Sequence, residues 1–78
     1  MSEGVVNRRM RTAKIILSLL REGPKRWTEL EKATTKVSPT YSVFQATLEW
    51  LLKHGYVIRL ERGLYSITDK GLTFLKAL

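Results

Sequence analysis

Between Tyr41 and Leu52 the apolar residues Tyr41, Phe44, Leu48, Leu51 and Leu52 recur at the spacing of one buried helical stripe. Ser38 can cap that helix by accepting from a free first-turn N–H, Pro39 suits its first position, and Gly55 can close it in a left-handed conformation. The pattern predicts a helix over about 39–54. Its outer face carries Pro39, Ser42, Ala46, Glu49 and Lys53, with Thr40, Gln45 and Thr47 on the shoulders. Upstream, Met10, Ala13, Ile16, Leu17 and Leu20 form the stripe of a helix predicted from an Asn7 cap to about Glu22, stopped by Gly23-Pro24. Ile15 and Leu19 make a second stripe on it, so it needs two surfaces to pack against. Residues 1–6 lack periodicity and are expected to be disordered. Thr28 and Glu31 fit a capping box for a short helix with Leu30 and Ala33 inward, followed by a tight connection over Thr34 to Val37.

After Gly55 the period changes. Tyr56–Leu60 and Leu64–Thr68 are rich in β-branched and aromatic residues and are separated by Glu61-Arg62-Gly63, which predicts a β-hairpin. A two-stranded hairpin is not stable alone, so its apolar face must lie on the helices. A one-residue strand contribution is expected near Trp27. Thr68 and Asp69 open a last helix with Leu72 and Leu75 inward, and Phe74 and Leu78 leave apolar surface to place. The prediction is one domain over residues 1–78, mainly α with a small hairpin, in the order helix, helix, helix, hairpin, helix.

Charge narrows the chemistry. Fourteen Lys and Arg against seven Asp and Glu give a formal net charge of +7 and a pI near 10.2. On an ordered domain this points to a polyanion, nucleic acid before anionic membrane, although solubility alone also accounts for some basic proteins. Arg8, Arg9, Arg11 and Lys14 sit at the start of the first helix, where cations oppose the helix dipole, and an external anion explains them better than helix stability does. No apolar run approaches the ~18–20 residues that span a bilayer, and the apolar stretch after the first arginines is too short for a secretory signal. A cytoplasmic protein is expected. There is no cysteine, and His54 is the lone histidine, a solvent-facing residue before the capping glycine. No metal site, cofactor, nucleophile elbow or phosphate-binding glycine loop can be assembled, so the chain is not expected to be an enzyme.

The small, uncharged, hydrogen-bonding outer face of residues 39–47 can lie against base edges while nearby cations hold phosphates. It equally suits a core helix with an ordinary polar outside. Two short helices joined by a tight turn, the second apolar on one face, have the pattern of a helix-turn-helix. The span L-E-W-L-L-K-H-G-Y-V-I-R, followed by L-Y-S-I-T-D-K-G-L-T-F-L, resembles small prokaryotic winged helix-turn-helix regulators. It is most similar to archaeal-type proteins that read L-x-x-L-L-x-x-G-hydrophobic and then Y-x-(L/I)-T-x-x-G-x-x-(F/L)-L. The resemblance runs from Arg8 to Leu78, and its motifs describe a fold well and a target hardly at all.

That resemblance implies a third helix in the major groove of double-stranded DNA, a hairpin wing on the flanking backbone, and commonly a dimer. Carried over by position, Ser38, Thr40, Tyr41, Ser42 and Gln45 would read bases, Arg59 and Arg62 would make wing contacts, and Thr28 and Lys36 would meet phosphate. Arg8, Arg9 and Arg11 would add to the phosphate grip. Tyr41 lies on the stripe and suits buried packing as well as DNA contact. The first half of the helix lacks Arg and Lys and the wing is short, so modest specificity is expected, with Gln45 the best base reader. Ile15, Leu19, Phe74, Leu75 and Leu78 are the candidate homodimer seam, since exposing them all would be unusual for a monomer. Trp50, off the stripe, suits packing against the hairpin or Trp27, or a subunit contact. The leading expectation is a transcriptional regulator on the nucleoid, with no effector molecule indicated. The alternatives are a protein-interaction adaptor and a weakly specific architectural chromatin protein.

Overall fold

In the computed structural model, which describes residues 3–36 and 41–78 and the side chains of 9–36 and 42–78, the helical stripes of the sequence meet in one core. The elements run α1 (Glu3–Arg21), β1 (Lys25–Arg26), α2 (Trp27–Thr35), α3 (Tyr41–Lys53), β2 (Val57–Glu61), β3 (Leu64–Ile67) and α4 (Asp69–Ala77). Ala13, Ile16, Leu17 and Leu20 of α1 are buried with Leu30 of α2 and Phe44, Leu48 and Leu51 of α3. Val57, Tyr65 and Leu75 close this core from the sheet and α4. Each large apolar side chain buried here contributes about 1.5–3 kcal/mol. This is the winged helix-turn-helix plan, three helices followed by a hairpin and a last helix.

The sheet is antiparallel with order β1-β3-β2. Lys25 pairs with Tyr65 and Arg26 with Leu64, so the single-residue strand contribution expected near Trp27 is a two-residue strand just before it. In the hairpin, Arg59 pairs with Tyr65 and Glu61 with Leu64, leaving Leu60 as a bulge. Glu61 therefore belongs to the strand, not to the turn.

Two helix starts differ from the sequence expectation. α1 begins at Glu3, a turn before Asn7, and takes in residues expected to be disordered. An Asn inside a helix costs only about 0.7 kcal/mol relative to Ala, too little to force a start there. α2 begins at Trp27, so Thr28 and Glu31 do not form its capping box. The pairing of β1 with β3 sets the chain's direction into α2, and the backbone N–H of Arg26 instead donates to Glu29 Oε1 at 3.3 Å.

Two threonines are more buried than their polarity suggests. Thr34, not Ala33, joins Leu30 inside, its hydroxyl donating to the carbonyls of Leu30 and Glu31, both at 3.0 Å. Thr47, expected on a shoulder of α3, is fully buried, and its hydroxyl has no hydrogen-bond partner among the described residues.

α3 ends as Gly55 requires. Gly55 has φ +78°, its N–H donates to Leu52 C=O at 3.2 Å, and the N–H of Tyr56 donates to Leu51 C=O at 3.0 Å. This pair of bonds satisfies carbonyls that a helix terminus leaves open. The start of α4 docks on this same end. The Thr68 hydroxyl donates to Gly55 C=O at 2.6 Å and accepts from the Gly71 N–H at 3.0 Å, while the Thr68 N–H donates to Tyr56 C=O at 3.1 Å. Lys70 Nζ donates to His54 C=O at 2.8 Å. The T-D-K-G segment is thus a joint between the end of α3 and the start of α4.

Candidate nucleic-acid interface

Because Phe44, Leu48 and Leu51 turn inward, the opposite face of α3 presents Ser42, Ala46, Glu49 and Lys53 to solvent. Gln45 is half-buried beside them, and its Nε2 donates to Glu49 Oε2 at 3.0 Å. Of the expected base readers, Ser42 and Gln45 therefore stand together on or beside one ridge. Ser38 and Thr40, with the Ser38 cap and Pro39, lie outside the described residues. Tyr41 opens α3, and its side chain lies outside them as well.

The hairpin is held against the start of α2. The Trp27 N–H donates to Gly63 C=O at 2.9 Å, and Arg26 Nη2 meets Glu61 Oε1 at 3.3 Å. Trp27 also sets its ring edge-on to Phe44, centroids 5.3 Å apart, so one residue links the hairpin tip, through its backbone, to α3, through its ring. Thr28, exposed in the first turn of α2, consequently shares an end of the molecule with Arg62 in the hairpin turn. Arg59 is exposed with its guanidinium 5.7 Å from the centre of the Tyr65 ring. Neither Arg59 nor Arg62 is in an ion pair among the described residues.

The remaining cationic candidates lie at the end of α2 and on α1. Lys36 caps the C-terminal end of α2, nine residues and so about 13 Å along the axis from Trp27. Arg9 and Arg11 are exposed on α1, and the side chain of Arg8 lies outside the described residues. Arg11 and Lys14 flank a groove of about 380 Å³ floored by Ile15, Ser18, Leu19 and Ala33. They also border a neighbouring hollow of about 320 Å³ with Met10 and Leu78.

The dimer candidates divide in a similar way. Ile15, Leu19 and Leu78 are half-buried along these hollows. Leu75 is 9% exposed and part of the core, and Phe74 stacks on Tyr56 of its own chain with centroids 4.4 Å apart and planes 10° from parallel. Trp50 completes that cluster, 5.9 Å from Phe74, 5.6 Å from Tyr56 and 4.7 Å from the His54 ring. It thus packs on residues that flank the hairpin.

The Gln45–Glu49 bond was not anticipated, although its i,i+4 spacing is visible in the sequence. The exposure of Ile58 and Leu60, 46% and 51%, was equally unexpected for the apolar positions of a hairpin strand. Among the described residues no group of His, Cys, Asp or Glu is placed to hold a metal ion, and no helix is long and apolar enough to cross a membrane.

No family model and no curated protein matches the sequence. Among solved structures, the chain is similar to a transcriptional regulator from Clostridium thermocellum, with a TM-score of 0.72 and 26% sequence identity. The match covers 99% of this chain and 82% of that one. The likeness agrees with the winged helix-turn-helix architecture and supports a role in transcription regulation in general terms.

Proposed function

We propose that this protein is a transcriptional regulator that binds double-stranded DNA with α3, over about 39–54, in the major groove and the hairpin, over about 57–67, on the flanking backbone. The observation that carries this reading is the pair of exposed arginines, Arg59 and Arg62, on a hairpin hydrogen-bonded to the start of α2 beside Thr28. With a net charge of +7, affinity comes mainly from counterion release. Arg9, Arg11 and Lys36 add to it, together with Arg8. Ser42 and Gln45 read bases, with Ser38, Thr40 and Tyr41 at the start of the same helix. The protein acts as a homodimer joined through Ile15, Leu19 and Leu78, presenting two copies of α3 to major grooves about 34–36 Å apart. It works on the nucleoid in the cytoplasm, and the archaeal-type assignment rests on its two sequence motifs.

The test is binding of duplex DNA across a salt series. Replacing Arg59 and Arg62 together by Ala weakens binding to all duplexes about equally and flattens the log–log salt slope by up to about 1.8, at about 0.9 per phosphate contact. A double variant that binds like the wild type removes the wing from the interface.

A second reading, a protein-interaction adaptor, is favoured by the exposed Ile58 and Leu60 on β2. Failure to be retained on heparin or random duplex at low salt, with one consistent protein partner recovered, would decide for it.

A further inference from the structure

Glu49 is the single acid in α3, and it is exposed on the face proposed to meet DNA. In a chain of net charge +7 built to grip phosphates, a carboxylate there opposes the polyanion unless it has a different partner. A carboxylate can only accept hydrogen bonds. In the major groove the groups that donate to it are the exocyclic amino groups, cytosine N4 and adenine N6. Phosphate oxygens offer it nothing.

The neighbouring contact has a second consequence. Because Glu49 can only accept, the bond from Gln45 Nε2 at 3.0 Å fixes which way the Gln45 amide turns. Its NH₂ points along the helix toward Glu49, and its Oε1 and second N–H are left for other partners. Ala46, exposed on the same face, leaves room for a base edge to come close to both.

Resting on the DNA-binding reading, we infer that Glu49 is the residue that sets sequence preference. It accepts from an exocyclic amino group, holds the Gln45 amide in one orientation, and turns α3 away from phosphates that would otherwise be bound without regard to sequence. The pair reads bases as a unit.

The experiment uses the full chain as wild type, Glu49→Ala and Glu49→Gln. Each is put through selection from a pool of random duplexes, then titrated with a selected and a scrambled duplex across a salt series. Wild type selects a sequence. Glu49→Ala binds the scrambled duplex several-fold more tightly, with a salt slope steeper by at most about one. Its discrimination between the two duplexes drops by about 5–150-fold, the range that one well-formed base contact supports. Glu49→Gln keeps an acceptor oxygen and recovers part of the discrimination, which a merely structural role would not predict. Thermal melting is unchanged in both variants, since position 49 is exposed.

An unchanged selected sequence and salt slope in Glu49→Ala overturns the inference and leaves DNA binding standing. So does a wild type that binds every duplex equally, which leaves an architectural protein. A wild type that retains no duplex overturns the DNA-binding reading itself, and this inference with it.

Discussion

Gly71→Ala tests the joint on which the placement of α3 and the hairpin depends. Gly71 is buried in the first turn of α4, and a Cβ there would fall on the carbonyl oxygen of Tyr56 and 2.7 Å from Ile67 Cγ1. At an open helical position, Gly→Ala gains about 1 kcal/mol. Here the obstacle is backbone that cannot rotate aside, and overpacking of this kind costs about 1–3 kcal/mol. Relief requires α4 to move away, which stretches the Thr68 bonds to Gly55 and Tyr56 at 2.6 and 3.1 Å. Two such bonds contribute about 1 kcal/mol each when well made. With overpacking at about 2 kcal/mol, the stretched bonds losing about half their worth and the propensity gain of about 1 kcal/mol set against them, the expected net loss is about 2 kcal/mol. For a domain of this size that lowers the melting temperature by about 8–16 °C. Circular dichroism melts of wild type and variant, with exposed Thr73→Ala as a helix-propensity control, measure it. A melting temperature equal to or above that of the wild type would refute the reasoning, because α4 would then not be seated on the Tyr56 carbonyl.

Thr47→Val removes a fully buried hydroxyl that has no partner among the described residues while keeping the side chain's shape, and should stabilise the fold by about 1 kcal/mol or more. That raises the melting temperature by about 4–8 °C, and a fall would mean the hydroxyl is satisfied after all. Leu19→Glu places a charge on the groove face of α1 and should convert a dimer to a monomer in sedimentation velocity with the helical circular dichroism retained. Wild type that sediments as a monomer throughout would exclude this seam.

Helix periodicity carried most of the fold into the sequence, because Phe44, Leu48 and Leu51 had only one inward face to share. What it missed was decided by contacts distant in the chain. A cap preference of about 1 kcal/mol favoured Thr28, but strand pairing of Lys25 and Arg26 with β3 brought the chain into α2 two residues earlier, with Arg26 at the cap. Burial of Thr34 was invisible for a related reason. A threonine can hide its hydroxyl by bonding a carbonyl one turn back, as Thr34 does, so polarity alone does not place it outside. The family-like T-D-K-G motif was legible as a signature before its cause was. In this chain Thr68 bridges two chain ends, and Gly71 stands where a Cβ would meet the Tyr56 carbonyl.

The site was less legible than the fold because a surface residue's role depends on what stands beside it in space. Arg62 gains its significance from the Trp27–Gly63 hydrogen bond, which brings the hairpin turn to Thr28 across a sequence separation that no local pattern encodes. The Arg26–Glu61 ion pair spans the same junction, but both side chains are more than half exposed, and pairs of that kind contribute about 0–1 kcal/mol. The Trp27–Gly63 backbone bond, the β1–β3 pairing and the burial of Val57 and Tyr65 therefore hold the wing to the helices more than the ion pair does. Since Trp27 touches both the hairpin turn and α3, a phosphate gripped at Arg62, as proposed, would constrain how far along a groove Ser42, Gln45 and Glu49 could reach. On the proposed DNA-binding reading, base preference would be set jointly by the ridge of α3 and by the tryptophan that fixes its distance from the wing.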